Sequence, residues 1–173
     1  MKLSGQPLLS EEAIARRVHE LAEAVSGDHP EGPLLVLAVL KGSVHFASDL
    51  VRQLSVPVTL DFIRAKSYQG THSGGSVELL VKPTAPIRDQ QVLVVEDILD
   101  TGRTAAALVD WIEAQGPAGL KICTLVDKPS RRVTDIRADY VGFDIKDQFV
   151  VGYGMDYDEQ YRELPAIYVL ERE

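Results

Sequence analysis

Three carboxylates fall within one short stretch of this 173-residue chain, Val92-Leu93-Val94-Val95-Glu96-Asp97-Ile98-Leu99-Asp100-Thr101-Gly102-Arg103-Thr104. Four apolar residues end at Glu96 and Asp97. Two more apolar residues follow, and Asp100 then opens a Thr-Gly-Arg-Thr turn. The apolar run is too short for a helix and reads as a buried parallel strand. Acids at the end of such a strand point into the crevice where open α/β sheets bind ligands. The turn supplies backbone N–H groups, two hydroxyls and the start of a helix, a combination that holds anions. Together these groups suit a phosphorylated sugar, with the acids on hydroxyls or a metal and the turn on the phosphate. Acids at strand ends often serve only as caps or solvated charge, but three of them with a T-G-x-T turn argue against that here. The stretch is neither a Walker A loop nor a G-x-G-x-x-G dinucleotide fingerprint.

The elements that must position these groups can be read from the pattern. Ser10 to Val25 is an amphipathic helix, with Ser10 as N-cap, Glu11 and Glu12 in its first turn and Gly27 as its stop. Leu34 to Leu40 is a buried strand, followed by Lys41-Gly42-Ser43 and a short helix carrying Phe46 and Leu50. Val56, Val58, Leu60 and Phe62 alternate as in a strand with one solvated face. Ser67 to Ser76 holds three glycines among small polar residues and reads as a loop, either a lid over a site or a plain hairpin connection. A helix follows over 104–115 with Gly116 as its stop, then a buried strand from Leu120 to Val126. Tyr140–Phe143, Phe149–Gly152 and Ile167–Leu170 are short late strands, belonging to a small appended hood or an antiparallel edge. Strands alternating with helices predict an α/β protein with a mostly parallel sheet flanked by helices.

Bulk properties narrow the function. Hydrophobic residues make up 45% and charged residues 25%, as in a globular protein. The length fits one domain. No apolar run approaches the roughly 18–20 residues of a membrane span, and Met1 to Gln6 lacks the apolar core of a signal peptide, so a cytoplasmic location with no membrane partner is expected. Cys123 is the single cysteine, which excludes an internal disulfide and a cysteine zinc cluster. The net charge of −8 argues against a nucleic-acid partner. The four histidines, His19, His29, His45 and His72, show no metal-ligand spacing.

Val92 to Ala105 closely resembles the ribose-phosphate signature of the type I phosphoribosyltransferases, and its Glu-Asp…Asp-Thr-Gly form is similar to the 6-oxopurine branch, the hypoxanthine-guanine phosphoribosyltransferases. Other segments match in the same order. Leu40-Lys41-Gly42 resembles the family's pyrophosphate loop, and Lys66-Ser67-Tyr68 the start of its flexible catalytic loop. Val126-Asp127-Lys128 resembles the segment carrying its purine-reading lysine. Phe149 to Tyr157, with Arg162 beyond, resembles its C-terminal purine and pyrophosphate segment. The resemblance implies a type I phosphoribosyltransferase fold, with a core over about 30–145 and a hood made from the N-terminal segment and about 146–173.

It also implies transfer of a 5-phosphoribosyl group from phosphoribosyl pyrophosphate to hypoxanthine or guanine, with magnesium and release of pyrophosphate. Under that resemblance Glu96 and Asp97 take the ribose hydroxyls and a magnesium ion, and Asp156 takes another. Asp100 accepts the purine proton and joins Thr101, Gly102, Arg103 and Thr104 around the 5′-phosphate. Leu40, Lys41, Gly42 and Arg162 hold pyrophosphate, with a cis peptide expected at Leu40–Lys41. Lys128 donates to the 6-oxo group, Phe149 stacks on the base, Val150 meets its edge through backbone groups, and Asp156 completes the purine-binding set. Ser67 and Tyr68 hinge a loop that excludes water from the oxocarbenium-like sugar. A homodimer or homotetramer is implied as well. Taken alone, Phe149 reads as core, Asp156 as a turn acid and Lys41 as an exposed lysine. A xanthine-preferring enzyme and an RNA-binding regulator on the same fold are the alternatives.

Overall fold

A computed structural model describes residues 2–67 and 77–171. Its elements run β1 (Lys2–Leu3), α1 (Glu11–Asp28), β2 (Leu34–Val39), α2 (Val44–Val51), β3 (Val58–Ser67), β4 (Val77–Val81), β5 (Gln91–Leu99), α3 (Arg103–Glu113), β6 (Gly119–Asp127), β7 (Tyr140–Asp144), β8 (Val150–Val151) and β9 (Tyr168–Glu171). The main sheet has six strands in the order β4-β3-β2-β5-β6-β7. All its neighbours are parallel except the β3–β4 hairpin. A separate antiparallel sheet, β1-β9-β8, forms the expected hood.

The two-residue period of the strands builds two cores. Leu34, Val36 and Ala38 of β2 and Leu93 and Val95 of β5 pack with α1, α2 and hood residues Val150, Met155 and Ile167. Leu35, Leu37 and Val39 of β2 and Val92 and Val94 of β5 pack on the other face with Leu108 and Ile112 of α3. Strands covered on both faces read as continuous apolar runs, which is why β2 is six buried residues in a row.

Three expectations needed correction, and one strand had no expectation at all. Helix α1 runs through Gly27 to Asp28, and Ser10 caps it by accepting from the Ala13 N–H. The stop comes at His29, because Pro30 drives the residue before it out of the helical region. Strand β5 does not end before its acids but continues through Glu96 and Asp97 to Leu99, since β6 extends alongside to Asp127. Tyr140–Phe143 lies in β7, which pairs in parallel with β6 at the main sheet's edge and is not part of the hood. Strand β4 went unread. It is an edge strand with Leu80 and Val81 partly solvated, and its apolar pattern matches no buried template.

Among the described residues no helix is long and apolar enough to cross a membrane. Cys123 is buried in the sheet, and burial raises its thiol pKa.

Candidate active site

Chain order creates a gap at the carboxyl end of the sheet. From β2 the chain passes through α2 to β3 on one side, while from β5 it passes through α3 to β6 on the other. This reversal of strand order between β2 and β5 is where open α/β sheets bind ligands. The β2–β5 pairing ends at Ala38↔Val95. Beyond it, Glu96 to Leu99 are laddered only to β6, up to Leu99↔Asp127. The Leu40-Lys41-Gly42 turn faces this open edge, and its Leu40–Lys41 peptide is cis, as expected.

Two hollows occupy the gap. One, of about 190 Å³, is lined by Asp97, Ile98, Asp100, Lys128, Phe149, Val150, Met155 and Asp156. The other, of about 60 Å³, is lined by Glu96, Ile98, Leu99, Asp100, Thr101, Gly102, Thr104 and Ala105. Asp100 and Ile98 are the wall common to both. Adjacent strand residues face opposite sides, so Glu96 enters the small hollow beside α3 while Asp97 enters the larger one beside the Gly42 turn.

The small hollow opens on the start of α3. Helix α3 begins at Gly102 with no side-chain cap on its first-turn amides. Gly102 has φ +81°, and a Cβ there would meet Thr134 Oγ1 at 2.3 Å. Glycine is therefore required by backbone conformation and by packing against the β6–β7 connection. Val133 N–H donates to the Thr101 carbonyl at 3.0 Å, fixing the turn.

Burial shapes the charges. Glu96 is 8% exposed and its Oε2 has no hydrogen-bond partner. Burial and the neighbouring Asp97 push its pKa up to about 8, against the pull of Arg132. Burial also raises Asp97, to about 6, opposed by the backbone N–H groups of Asp97 and Ile98 and by Arg162. Two recessed carboxylates with an unpartnered oxygen are a setting that a divalent cation would relieve. Among the described residues no three His, Cys, Asp or Glu side chains gather around one point. A cation here would therefore take one or two carboxylates and complete its shell with water and substrate oxygens, which is the habit of magnesium.

Lys128 is 6% exposed. Its Nζ donates to the Gln148 carbonyl at 2.6 Å, and burial lowers its pKa. Phe149 is 50% exposed and meets Tyr157 edge-on at 5.7 Å, so core packing does not account for it. Val150 is buried and pairs with Val169 in the hood. Asp156 serves its turn and faces the hollow as well: Oδ2 accepts from the Glu159 N–H at 2.9 Å and Oδ1 meets Arg162 at 2.8 Å.

Arg162 also donates to the Gly154 carbonyl at 2.7 Å, while Lys41 pairs with Glu159 at 2.7 Å. Gly154 sits against the turn, where a Cβ would lie 1.9 Å from the Gly42 carbonyl oxygen. A Cβ on Gly42 would in turn meet Asp97 Oδ2 at 1.9 Å. Asp97, Gly42 and Gly154 are thus stacked, tying strand β5, the cis turn and the hood together. Arg103 is exposed at the first position of α3. Ser67 ends β3 in register with Val77, and Tyr68, with the glycine-rich loop to Ser76, lies outside the described residues.

Sequence reasoning missed three charged residues around this site. Arg131 Nε donates to Asp100 Oδ1 at 3.1 Å. Arg132, paired with Asp127, donates to the Leu99 carbonyl at 3.2 Å. Glu159 engages Lys41 and Arg162. The Arg131-Arg132 doublet after Lys128 was a readable signal. Nothing local marks Glu159.

Comparison with known proteins places the chain in a family. The family model "Phosphoribosyl transferase domain" matches residues 5–158. The chain is similar to a hypoxanthine-guanine phosphoribosyltransferase of Staphylococcus epidermidis, 43% identical over 167 residues that cover 96% of this chain and 93% of that one. A crystal structure of a Bacillus anthracis hypoxanthine-guanine phosphoribosyltransferase, with HEPES in its active site, superposes with TM-score 0.94 at 45% identity, covering 98% of this chain and 100% of that chain. A Trypanosoma cruzi hypoxanthine phosphoribosyl transferase superposes with TM-score 0.92 at 38% identity, covering 99% of this chain and 93% of that one. With that model spanning most of its length and relatives 43% and 45% identical across nearly all of it, the chain belongs to the phosphoribosyl transferase domain family.

Proposed function

We propose that this protein is a purine salvage enzyme that transfers 5-phosphoribosyl from phosphoribosyl pyrophosphate to hypoxanthine or guanine, giving inosine or guanosine monophosphate and pyrophosphate. One observation carries the reading: Asp100 is the common wall of an anion cradle and of a hollow holding a buried lysine and an exposed aromatic ring. A bond between a phosphorylated sugar and a base would form where the two hollows meet.

In this reading the 5′-phosphate lies on the Thr101–Thr104 turn, where the amides starting α3 and the threonine hydroxyls donate to it. Glu96 and Asp97 receive the ribose hydroxyls. Lys41 and Arg162, with the amides of the Leu40–Gly42 turn, hold the departing pyrophosphate. Asp100 takes the proton from the purine imidazole ring as the N–C bond forms. Lys128 donates to the 6-oxo group. An ammonium has no acceptor for a 6-amino group, so adenine is rejected. Phe149 covers one face of the base, and Val150 meets its edge. Magnesium, held by Glu96 and Asp97 and by Asp156, would neutralise the charge gathering on pyrophosphate. The loop begun by Ser67 and Tyr68 would shut out water. The reading includes a cytoplasmic location and a homodimer or homotetramer.

The test is a steady-state assay with phosphoribosyl pyrophosphate, magnesium and each of hypoxanthine, guanine, xanthine and adenine. Turnover of hypoxanthine and guanine well above the other two is expected. Lys128→Ala should lower the hypoxanthine-over-adenine ratio of kcat/KM by about tenfold or more. Preference for xanthine, or unchanged selectivity in the variant, refutes the corresponding assignment. Purine-independent RNA binding without turnover refutes the whole.

A further inference from the structure

The cations assigned above to pyrophosphate already share an anion within the chain. Lys41 comes from the turn after β2 and Arg162 from the hood, 121 positions later in sequence. One atom bridges them: Glu159 Oε2 lies 2.7 Å from Lys41 Nζ and 3.4 Å from an Arg162 terminal nitrogen. Three features hold the glutamate there. Its N–H is bound by Asp156 Oδ2 at 2.9 Å. Asp158, Glu159 and Tyr161 all have positive φ, at 53°, 63° and 75°, which turns the segment tightly back toward the site. Arg162 is itself anchored on the Gly154 carbonyl. Arg162 also meets Asp156 Oδ1 at 2.8 Å, so Glu159 is its second and more distant carboxylate and the one that it shares with Lys41.

We propose that Glu159 is a built-in competitor for pyrophosphate: it neutralises Lys41 and Arg162 while the site is empty and is displaced when the diphosphate group arrives. This rests on the assignment of Lys41 and Arg162 to that group. Glu159 is therefore a positioning residue that acts through the two cations. Its effect is to weaken the hold on the diphosphate in both directions, moderating substrate affinity and easing product departure. Its side chain is 62% exposed and that of Lys41 45%, so the effect is modest and screened by salt.

The experiment compares Glu159→Gln and Glu159→Ala with the unaltered enzyme in the forward reaction, with pyrophosphate added as product inhibitor. Both variants should lower the KM for phosphoribosyl pyrophosphate and the inhibition constant of pyrophosphate by about two- to fivefold at low ionic strength, the range expected for an exposed ion pair. The KM for hypoxanthine should be unchanged and kcat unchanged or lower. A merely structural role would move the first two constants upward instead. Unchanged or raised constants in both variants overturn the proposal. Lys41→Ala and Arg162→Ala separate the two levels: if they leave pyrophosphate inhibition untouched, the assignment of the cations fails. If they weaken it while the Glu159 variants change nothing, the competitor role alone fails.

Discussion

In the proposed reaction Asp100 is the proton acceptor, and its surroundings decide how that role is tested. Replacing it by asparagine keeps its shape in both hollows but removes the proton acceptor. Asp100→Asn is expected to lower kcat by about a hundred- to ten-thousand-fold. The KM for phosphoribosyl pyrophosphate should stay within about twofold, because the Thr101–Thr104 cradle remains; normal turnover would remove Asp100 from this role. Glu96 makes a different, thermodynamic prediction. With its folded pKa raised to about 8, the folded protein binds a proton that the unfolded chain releases near pH 4–5. That contribution is fully present below the unfolded pKa and is lost as pH rises toward 8. In the absence of divalent cations, the melting temperature should fall between about pH 5 and 8. Glu96→Gln should flatten the decline, leaving the smaller slope of Asp97 up to about pH 6. A slope unchanged in the variant would mean Glu96 is not the group responsible. Of this residue scale, the acids, Lys128 and Phe149 were legible, because type and spacing mark them. Arg131 and Glu159 were less so, since each is defined by a partner 31 or 118 positions distant.

At the scale of elements, the site depends on one strand ending early and a hood reaching over it. The contact between them is backbone on backbone, Gly154 against the Gly42 carbonyl. Gly154 also has φ +101°, so a side chain there is strained twice over. Gly154→Ala should cost about 2 kcal/mol or more in urea unfolding, and should raise the KM for phosphoribosyl pyrophosphate by displacing the turn. Gly27→Ala, in the last turn of α1 with open space around it, should instead be neutral to mildly stabilising; a loss as large as that at Gly154 would show that the glycine has a packing role there. The sequence made the buried strands and amphipathic helices plain because packing on two cores imposes their periods. It misjudged the α1 stop and the β5 end for opposite reasons. A glycine marks a permitted stop, not a required one, and a neighbouring strand carries pairing through residues that would not propagate it alone.

For the molecule as a whole, the ligand site joins two sheets that otherwise meet through the first core. A ligand touching both the Thr101–Thr104 turn at the end of the main sheet and Arg162 of the hood should stabilise them jointly. Phosphoribosyl pyrophosphate with magnesium at about a hundredfold excess over Kd should raise the melting temperature by roughly 5–10 °C, and either component alone by less; equal shifts would show that the two do not bind together. The fold class and the order of the motifs were legible at this scale because strand, turn and helix recur with ligand groups at each strand end. Strand order was not, because nothing in a linear pattern states which side of β2 receives β5. That order also sets how evenly the molecule is held. Through Val95 the backbone of β5 is bonded on both sides, and from Glu96 onward on one side only. Amide hydrogen exchange should therefore be slow in a band across the sheet's middle and quicken abruptly past Val95. The reacting end of the sheet would then breathe on its own while the rest stays shut.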